Sequence, residues 1–92
     1  MNNSELNEFG KYLFKSYFEE ELDIPITINN RLKRTHAWFV AECNPYIEVS
    51  RHLIQQNIYI IADILSHELT HYYLYKHQKP YDDNDIEFYT LT

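Results

Sequence analysis

Two histidines and a glutamate lie close together in the string His67-Glu68-Leu69-Thr70-His71. Residues four apart on an α-helix leave the same face, so the imidazoles of His67 and His71 can close on one metal ion. Zinc hydrolases bind their metal through a string of this pattern. Zinc takes histidine nitrogen at about 2.0–2.1 Å, and a catalytic zinc leaves one position to water. We therefore expect His67 and His71 to be zinc ligands.

The glutamate has a separate role in this chemistry. Glu68 follows the first histidine directly, so it points beside the metal rather than at it. A carboxylate in that place can accept a proton from the zinc-bound water as it attacks a carbonyl, then pass the proton to the leaving amine. The alternative is that His67 and His71 are ordinary, partly buried histidines in hydrogen bonds. That alternative buries two imidazoles and a carboxylate together on one interior face, which is costly.

The motif needs a helix to position it, and residues 57–75 are expected to form one. Asn57 is a candidate N-cap, and no Gly or Pro interrupts the chain before Pro80. Helical spacing puts part of the motif on the same side as the apolar residues. The residues of this interior side are Ile61, Ile64, Leu65, Glu68 and His71.

Length and composition indicate one small folded domain over residues 1–92. The chain is 45% hydrophobic and 16% aromatic, which argues against disorder. Its one cysteine, Cys43, cannot form an internal disulfide, and we expect it to be a small buried hydrophobe. The first residues lack a signal-peptide pattern, and no apolar stretch reaches 18 residues. We therefore expect a cytoplasmic protein that does not enter a membrane.

The net charge of the chain limits which binding partners we expect. A formal net charge of −6 argues against direct nucleic-acid binding, which needs clustered Lys and Arg, although contact through a partner stays open. The basic cluster at residues 31–34 is predicted to be a solvated turn, with contact to an acidic partner as the alternative.

The remaining pattern predicts an α+β fold. An amphipathic helix is expected from caps among residues 2–4 to about Leu22. Three strands are expected at residues 24–28, 37–42 and 46–49, with a turn at Asn44-Pro45 between the last two. A short helix or lead-in is expected within residues 50–56. A short C-terminal helix is expected to start within residues 82–88, where Asn84 and Glu87 are spaced as a capping box.

Several linked segments together resemble the SprT-like family of zincin-type metalloproteases, in a minimal form. They span about residues 24–92, and the resemblance implies a minimal zincin-like fold, a Zn²⁺ cofactor and hydrolysis of peptide bonds in a protein or peptide substrate. The segments are Ile26 to Asn29, Arg31-Leu32-Lys33-Arg34-Thr35, Ile47-Glu48-Val49-Ser50, the helix from Ile64 to Tyr72 with its HExxH motif, and Lys79 to Phe88.

The resemblance also implies a third metal ligand in the last of these segments. Family members commonly have histidine there, whereas this chain has acids, and counting back from Phe88 puts the ligand at Asp83. Asp85 or Glu87 could replace it, since zinc accepts carboxylate oxygen at about 2.0–2.2 Å. The acids could instead stabilise the start of the last helix through its dipole. His77 is another candidate, because it lies six residues after His71, the interval that metzincins use. Metzincins have a glycine where this chain has Leu74, so the competing interpretation is that His77 faces solvent near the helix end.

Two further interpretations stay open. Tyr72, Tyr73, Tyr75 and Tyr81 cluster near the motif, and one of them could donate a hydrogen bond to a developing oxyanion, although core packing is the ordinary role of a tyrosine. The chain also lacks the cysteine-rich zinc ribbon of longer bacterial relatives. A chain this small and acidic has almost no room for substrate subsites, so a non-catalytic protein-binding module that keeps a zincin-type metal site is the alternative to a metallopeptidase.

Overall fold

The computed structural model describes residues 1–78. Two helices and a three-stranded mixed sheet confirm the predicted α+β class. The predicted C-terminal helix lies outside the described residues. In chain order the elements are α1 (Asn3–Phe18), β1 (Ile26–Asn29), β2 (Ala37–Val40), β3 (Tyr46–Ser50), a 3₁₀ helix (Leu53–Gln55) and α2 (Ile58–Lys76).

The sheet has the strand order β1-β3-β2, so the last strand of the chain lies in the centre. β2 pairs antiparallel with β3, with Ala37 opposite Val49, so the chain reverses direction in residues 41–45, the region of the predicted turn. β1 pairs parallel with β3, with Ile26 opposite Ile47. A parallel pair needs a crossover connection, and here the chain makes β2 on the way from β1 to β3.

Helix α1 begins with a capping box. The Asn2 side chain accepts a hydrogen bond from the Glu5 backbone N–H, and the Glu5 carboxylate accepts one from the Asn2 backbone N–H. The prediction that α1 runs to about Leu22 is wrong, because Glu19 takes a left-handed conformation with φ 58° and ends the helix after Phe18. Leu22 is buried from the connection that follows.

Helix α1 lies against the outer edge of β1. Gly10 permits this approach, since a Cβ at that position would collide with the Ile26 side chain. The Asn7 side-chain amide pairs with both backbone groups of Ile26: its Nδ2 donates to the carbonyl oxygen (2.6 Å), and its Oδ1 accepts from the N–H (2.9 Å). The Asn3 Oδ1 accepts from the Ile28 N–H at 3.1 Å. The helix thus supplies hydrogen bonds that an adjacent strand would otherwise make.

One hydrophobic core joins both helices to the sheet. The fully buried members of the core include Leu6 and Phe14 from α1, Ile26, Ile47 and Val49 from the sheet, and Leu65 and Leu69 from α2.

Neither helix within residues 1–78 has the length and hydropathy that crossing a membrane requires.

Two predictions concern residues in loops, the burial of Cys43 and the solvent exposure of the basic cluster at residues 31–34. Cys43 is exposed, so the expectation of a buried residue is wrong. It lies between β2 and β3, outside the strands whose side chains alternate into the core. In the basic cluster Arg31, Lys33 and Arg34 are exposed and only Leu32 is buried, as expected for a solvated turn.

Candidate metal centre

Helix α2 carries the whole His67 to His71 motif. The Asn57 side chain accepts a hydrogen bond from the Ile60 backbone N–H at 3.0 Å, as predicted for an N-cap. The helix then continues without interruption through the motif. Glu68 is buried, with 9% of its surface exposed, whereas His67 and His71 are partly buried. The motif therefore lies at the boundary between the core and the surface.

The two imidazoles converge as the spacing predicts. The Nε2 atoms of His67 and His71 are 3.3 Å apart, and the rings meet edge to face with centroids 4.9 Å apart. Two nitrogens bound at about 2.0–2.1 Å to one tetrahedral zinc are themselves separated by about 3.3 Å. The geometry of this pair thus fits a shared zinc ion without rearrangement of the helix.

The carboxylate of Glu68 belongs to the same cluster. One ligand-capable atom from each of His67, Glu68 and His71 lies within 4.8 Å of the others. A base that acts on a water molecule has to come within about 2.6–3.2 Å of it, either directly or through one further water. The carboxylate thus lies beside the two imidazole nitrogens, where such a base is needed. Imidazole nitrogen is a ligand that suits zinc.

Two cavities open beside the motif. One, of about 550 Å³, lies between the last turn of α1 and the middle of α2, and His67 and Tyr73 are among its lining residues. The other, of about 320 Å³, lies between the start of β2 and α2, and His36, His67 and Glu68 line it. His67 borders both cavities, and Glu68 lines the smaller one.

Tyr72, the residue after the second histidine, anchors α2 to the segment before β1. Its hydroxyl donates a hydrogen bond to the Asp23 carboxylate, and its ring packs against Phe14 and Phe39. Burial, followed by the hydrogen bond and negative charge of Asp23, raises the pKa of the Tyr72 hydroxyl above its ordinary value of 10.0. Because this hydroxyl already donates its proton to Asp23, it is poorly placed to donate one to a substrate.

The other candidate tyrosines differ in position. Tyr73 stacks on Phe18 and lines the larger cavity together with His67. The Tyr75 hydroxyl donates to the Glu42 carbonyl oxygen at 3.4 Å. Tyr73 therefore shares a cavity with the motif, whereas the Tyr75 hydroxyl bonds to the loop between β2 and β3. Tyr81 lies outside the described residues.

Of the candidates for the third ligand, His77 is the one within the described residues. Asp83, Asp85 and Glu87 lie outside the described residues. His77 caps the C-terminus of α2, and its Nε2 lies 2.7 Å from a carboxylate oxygen of Glu20. Within residues 1–78 the cluster that could hold a metal does not include His77.

The sequence interpretation did not single out His36 and His52. His36 lies directly before β2, and its Nδ1 is 3.1 Å from the Nε2 of His52, which precedes the 3₁₀ helix. These residues are 16 positions apart, so no local spacing reveals the contact. The signal is the antiparallel register of β2 and β3, which carries both histidines to the same end of the hairpin.

Comparison of the chain with models of known protein families, with curated proteins and with solved structures yields no match.

Proposed function

We propose that this protein is a zinc-dependent metallopeptidase-like hydrolase of the SprT-like kind. The observation that carries the proposal is the convergence of the His67 and His71 Nε2 atoms at 3.3 Å, with the buried Glu68 carboxylate in the same cluster. That separation suits a shared tetrahedral zinc. The i,i+4 spacing on a helix brings the imidazoles together, and the buried carboxylate of Glu68 beside them adds the base that the proposed reaction needs.

Each motif residue has a distinct role in the proposed reaction. His67 and His71 hold Zn²⁺, and the resemblance to the SprT-like family assigns the third ligand to Asp83. Zinc held there would supply a Lewis acid for the peptide carbonyl and would make a water molecule more acidic. Glu68 accepts a proton from the attacking water as the water oxygen bonds to the carbonyl carbon. It returns the proton to the nitrogen when the peptide bond breaks, so the base is regenerated.

The cavities beside the motif support a peptide substrate. Both border His67, so a chain segment that reaches the metal can extend to either side of it. The cytoplasm is the proposed compartment, because the exposed thiol of Cys43 would be open to oxidation in an oxidising one.

The experiment that tests the metal site is a measurement of zinc content in protein purified without a histidine tag. The expected result is about one zinc per chain, the stoichiometry of a mononuclear site. H67A should lose this zinc. H77A is the matched control, because it removes a histidine of the same helix whose partner is Glu20, and it should keep the zinc. Absence of zinc, with no uptake when zinc is added, would overturn the proposal.

A further inference from the structure

A second pair of histidines lies at the end of the β2–β3 hairpin. The Nδ1 of His36 is 3.1 Å from the Nε2 of His52, and the ring centroids are 4.8 Å apart. His36 is exposed and His52 is partly buried, so solvent reaches the pair.

The backbone holds both histidines in place. The Ser50 N–H donates to the His36 carbonyl oxygen at 2.8 Å, which extends the strand pairing by one residue. The chain then turns, and the buried Ser50 hydroxyl accepts a hydrogen bond from the Leu53 N–H at 3.1 Å. His52 lies in this turn. The two rings therefore project from backbone that is fixed by a strand pair on one side and a capped turn on the other.

The geometry of this pair closely repeats that of the motif pair. The nitrogens are 3.1 Å apart in one pair and 3.3 Å in the other. The ring planes meet at 65° and 76°, respectively. A shared tetrahedral zinc requires nitrogens about 3.3 Å apart, so the motif pair matches this distance and the pair of His36 Nδ1 with His52 Nε2, at 3.1 Å, comes close to it.

We propose that His36 and His52 form a second metal site, which takes a divalent transition metal such as zinc through His36 Nδ1 and His52 Nε2. Imidazole is a good ligand for zinc, nickel and copper. With two protein ligands the remaining positions go to water, so this site binds zinc more weakly than a site with three.

The charged residues around the pair have opposite signs. Asp63 lines the same 320 Å³ cavity as His36, so an acidic residue is available on that side of the pair. Arg51, the residue before His52, carries a positive charge that opposes a cation, and its Nε donates to the Asn30 side chain at 3.0 Å. His67 and Glu68 line that cavity too, so an ion on His36 and His52 lies at the wall of the cavity that leads to the motif.

The test is to count zinc ions bound per chain by equilibrium dialysis of the full chain over a range of free zinc concentrations. Wild-type protein is expected to bind a stronger and a weaker ion. H36Q and H52Q should each lose the weaker ion and keep the stronger, whereas H67A should do the reverse. H77Q is the matched control and should keep both. The expected fall in affinity at the weaker site is at least about tenfold, the loss that removing even an outer-shell partner of a metal site causes.

The outcomes separate the two metal sites. If the weaker ion persists in both H36Q and H52Q, or if wild-type protein binds no ion beyond the one that H67A removes, the pair is a hydrogen bond only and the proposal is overturned. If H67A changes nothing while H36Q removes the sole ion, the motif site fails and the second site stands.

A second measurement covers the case in which a variant fails to fold. Ni²⁺ is paramagnetic, so NMR of the wild-type imidazoles should show broadening of the His36 and His52 ring signals but not of His77. Unchanged ring signals for His36 and His52 would overturn the proposal.

Discussion

The hydroxyl of Tyr72 donates a hydrogen bond to the carboxylate of Asp23, 49 residues earlier in the chain. This bond connects α2 to the segment that precedes β1. Tyr72 directly follows His71, the second candidate metal ligand. Asp23 is exposed, whereas Tyr72 is almost completely buried. The bond therefore crosses from the core to the surface, and its loss should affect stability more than local chemistry.

We expect Y72F to lower the free energy of unfolding by about 1 kcal/mol, the usual net contribution of one hydrogen bond. The phenyl ring keeps the packing against Phe14 and Phe39. Urea denaturation measures the change, with Y59F as the control because Tyr59 is 84% exposed. Equal losses in the two variants would contradict a specific role for the bond.

The same hydroxyl predicts a dependence of stability on alkaline pH. The pKa of Tyr72 is raised in the folded state by burial and by Asp23, while in the unfolded chain it ionises near its ordinary value of 10.0. Above pH 10 the unfolded state releases this proton first, so the stabilisation that is present below pH 10 declines as the pH rises. The free energy of unfolding should therefore fall more steeply with pH in wild-type protein than in Y72F. Parallel curves between about pH 9 and pH 11 would argue against this linkage.

E68Q should separate metal binding from turnover. The amide keeps the size of the side chain but cannot accept the proton of the attacking water, so hydrolysis should fall by about 10²–10⁴-fold while zinc content is unchanged. Release of labelled peptides from denatured casein measures turnover, and metal analysis measures zinc. A variant as active as wild type would exclude Glu68 as the base. Zinc-dependent stability with no turnover in wild-type protein would instead favour the binding module.

D83A should weaken zinc binding if Asp83 is the third ligand. Loss of one of three ligands leaves an incomplete site, so the affinity should fall by more than the roughly 10–100-fold caused by outer-shell changes. Competition with a chromogenic chelator measures the affinity. D85A and E87A are the matched variants, because they remove a nearby acid of the same segment. If D83A binds zinc like wild type, whichever of these two weakens binding identifies the ligand.

N7A should destabilise the protein by about 1–3 kcal/mol, because it removes the partners of two backbone groups of the fully buried Ile26. N3A is the comparison, since Asn3 makes one such bond, in an exposed place, and should cost less. Urea denaturation of the two variants tests the order. A loss in N3A as large as in N7A would mean that burial of the bond does not matter.

Local chemistry predicts much of this fold. Asn57 begins α2 because its side chain accepts a backbone hydrogen bond. Alternating apolar residues, isoleucines in β1 and Ile47 with Val49 in β3, place these strands within about two residues. The convergence of His67 and His71 follows from helical geometry alone.

The features that sequence patterns miss depend on contacts between distant segments. The left-handed Glu19 ends α1 without a glycine to announce it. The central place of β3 and the meeting of His36 with His52 depend on how the strands pair, which no single segment encodes. Cys43 is a small apolar residue by type, but its loop position decides its exposure.

The pairing of Asn7 with Ile26 also bears on aggregation. A strand from another molecule could add to β1 only by displacing the Asn7 amide and the Asn3 oxygen from the backbone of Ile26 and Ile28. The first two turns of α1 therefore prevent a strand of another molecule from pairing with the free edge of β1. Fraying of these turns would open an isoleucine-rich edge, so resistance to aggregation depends on the first seven residues of the chain.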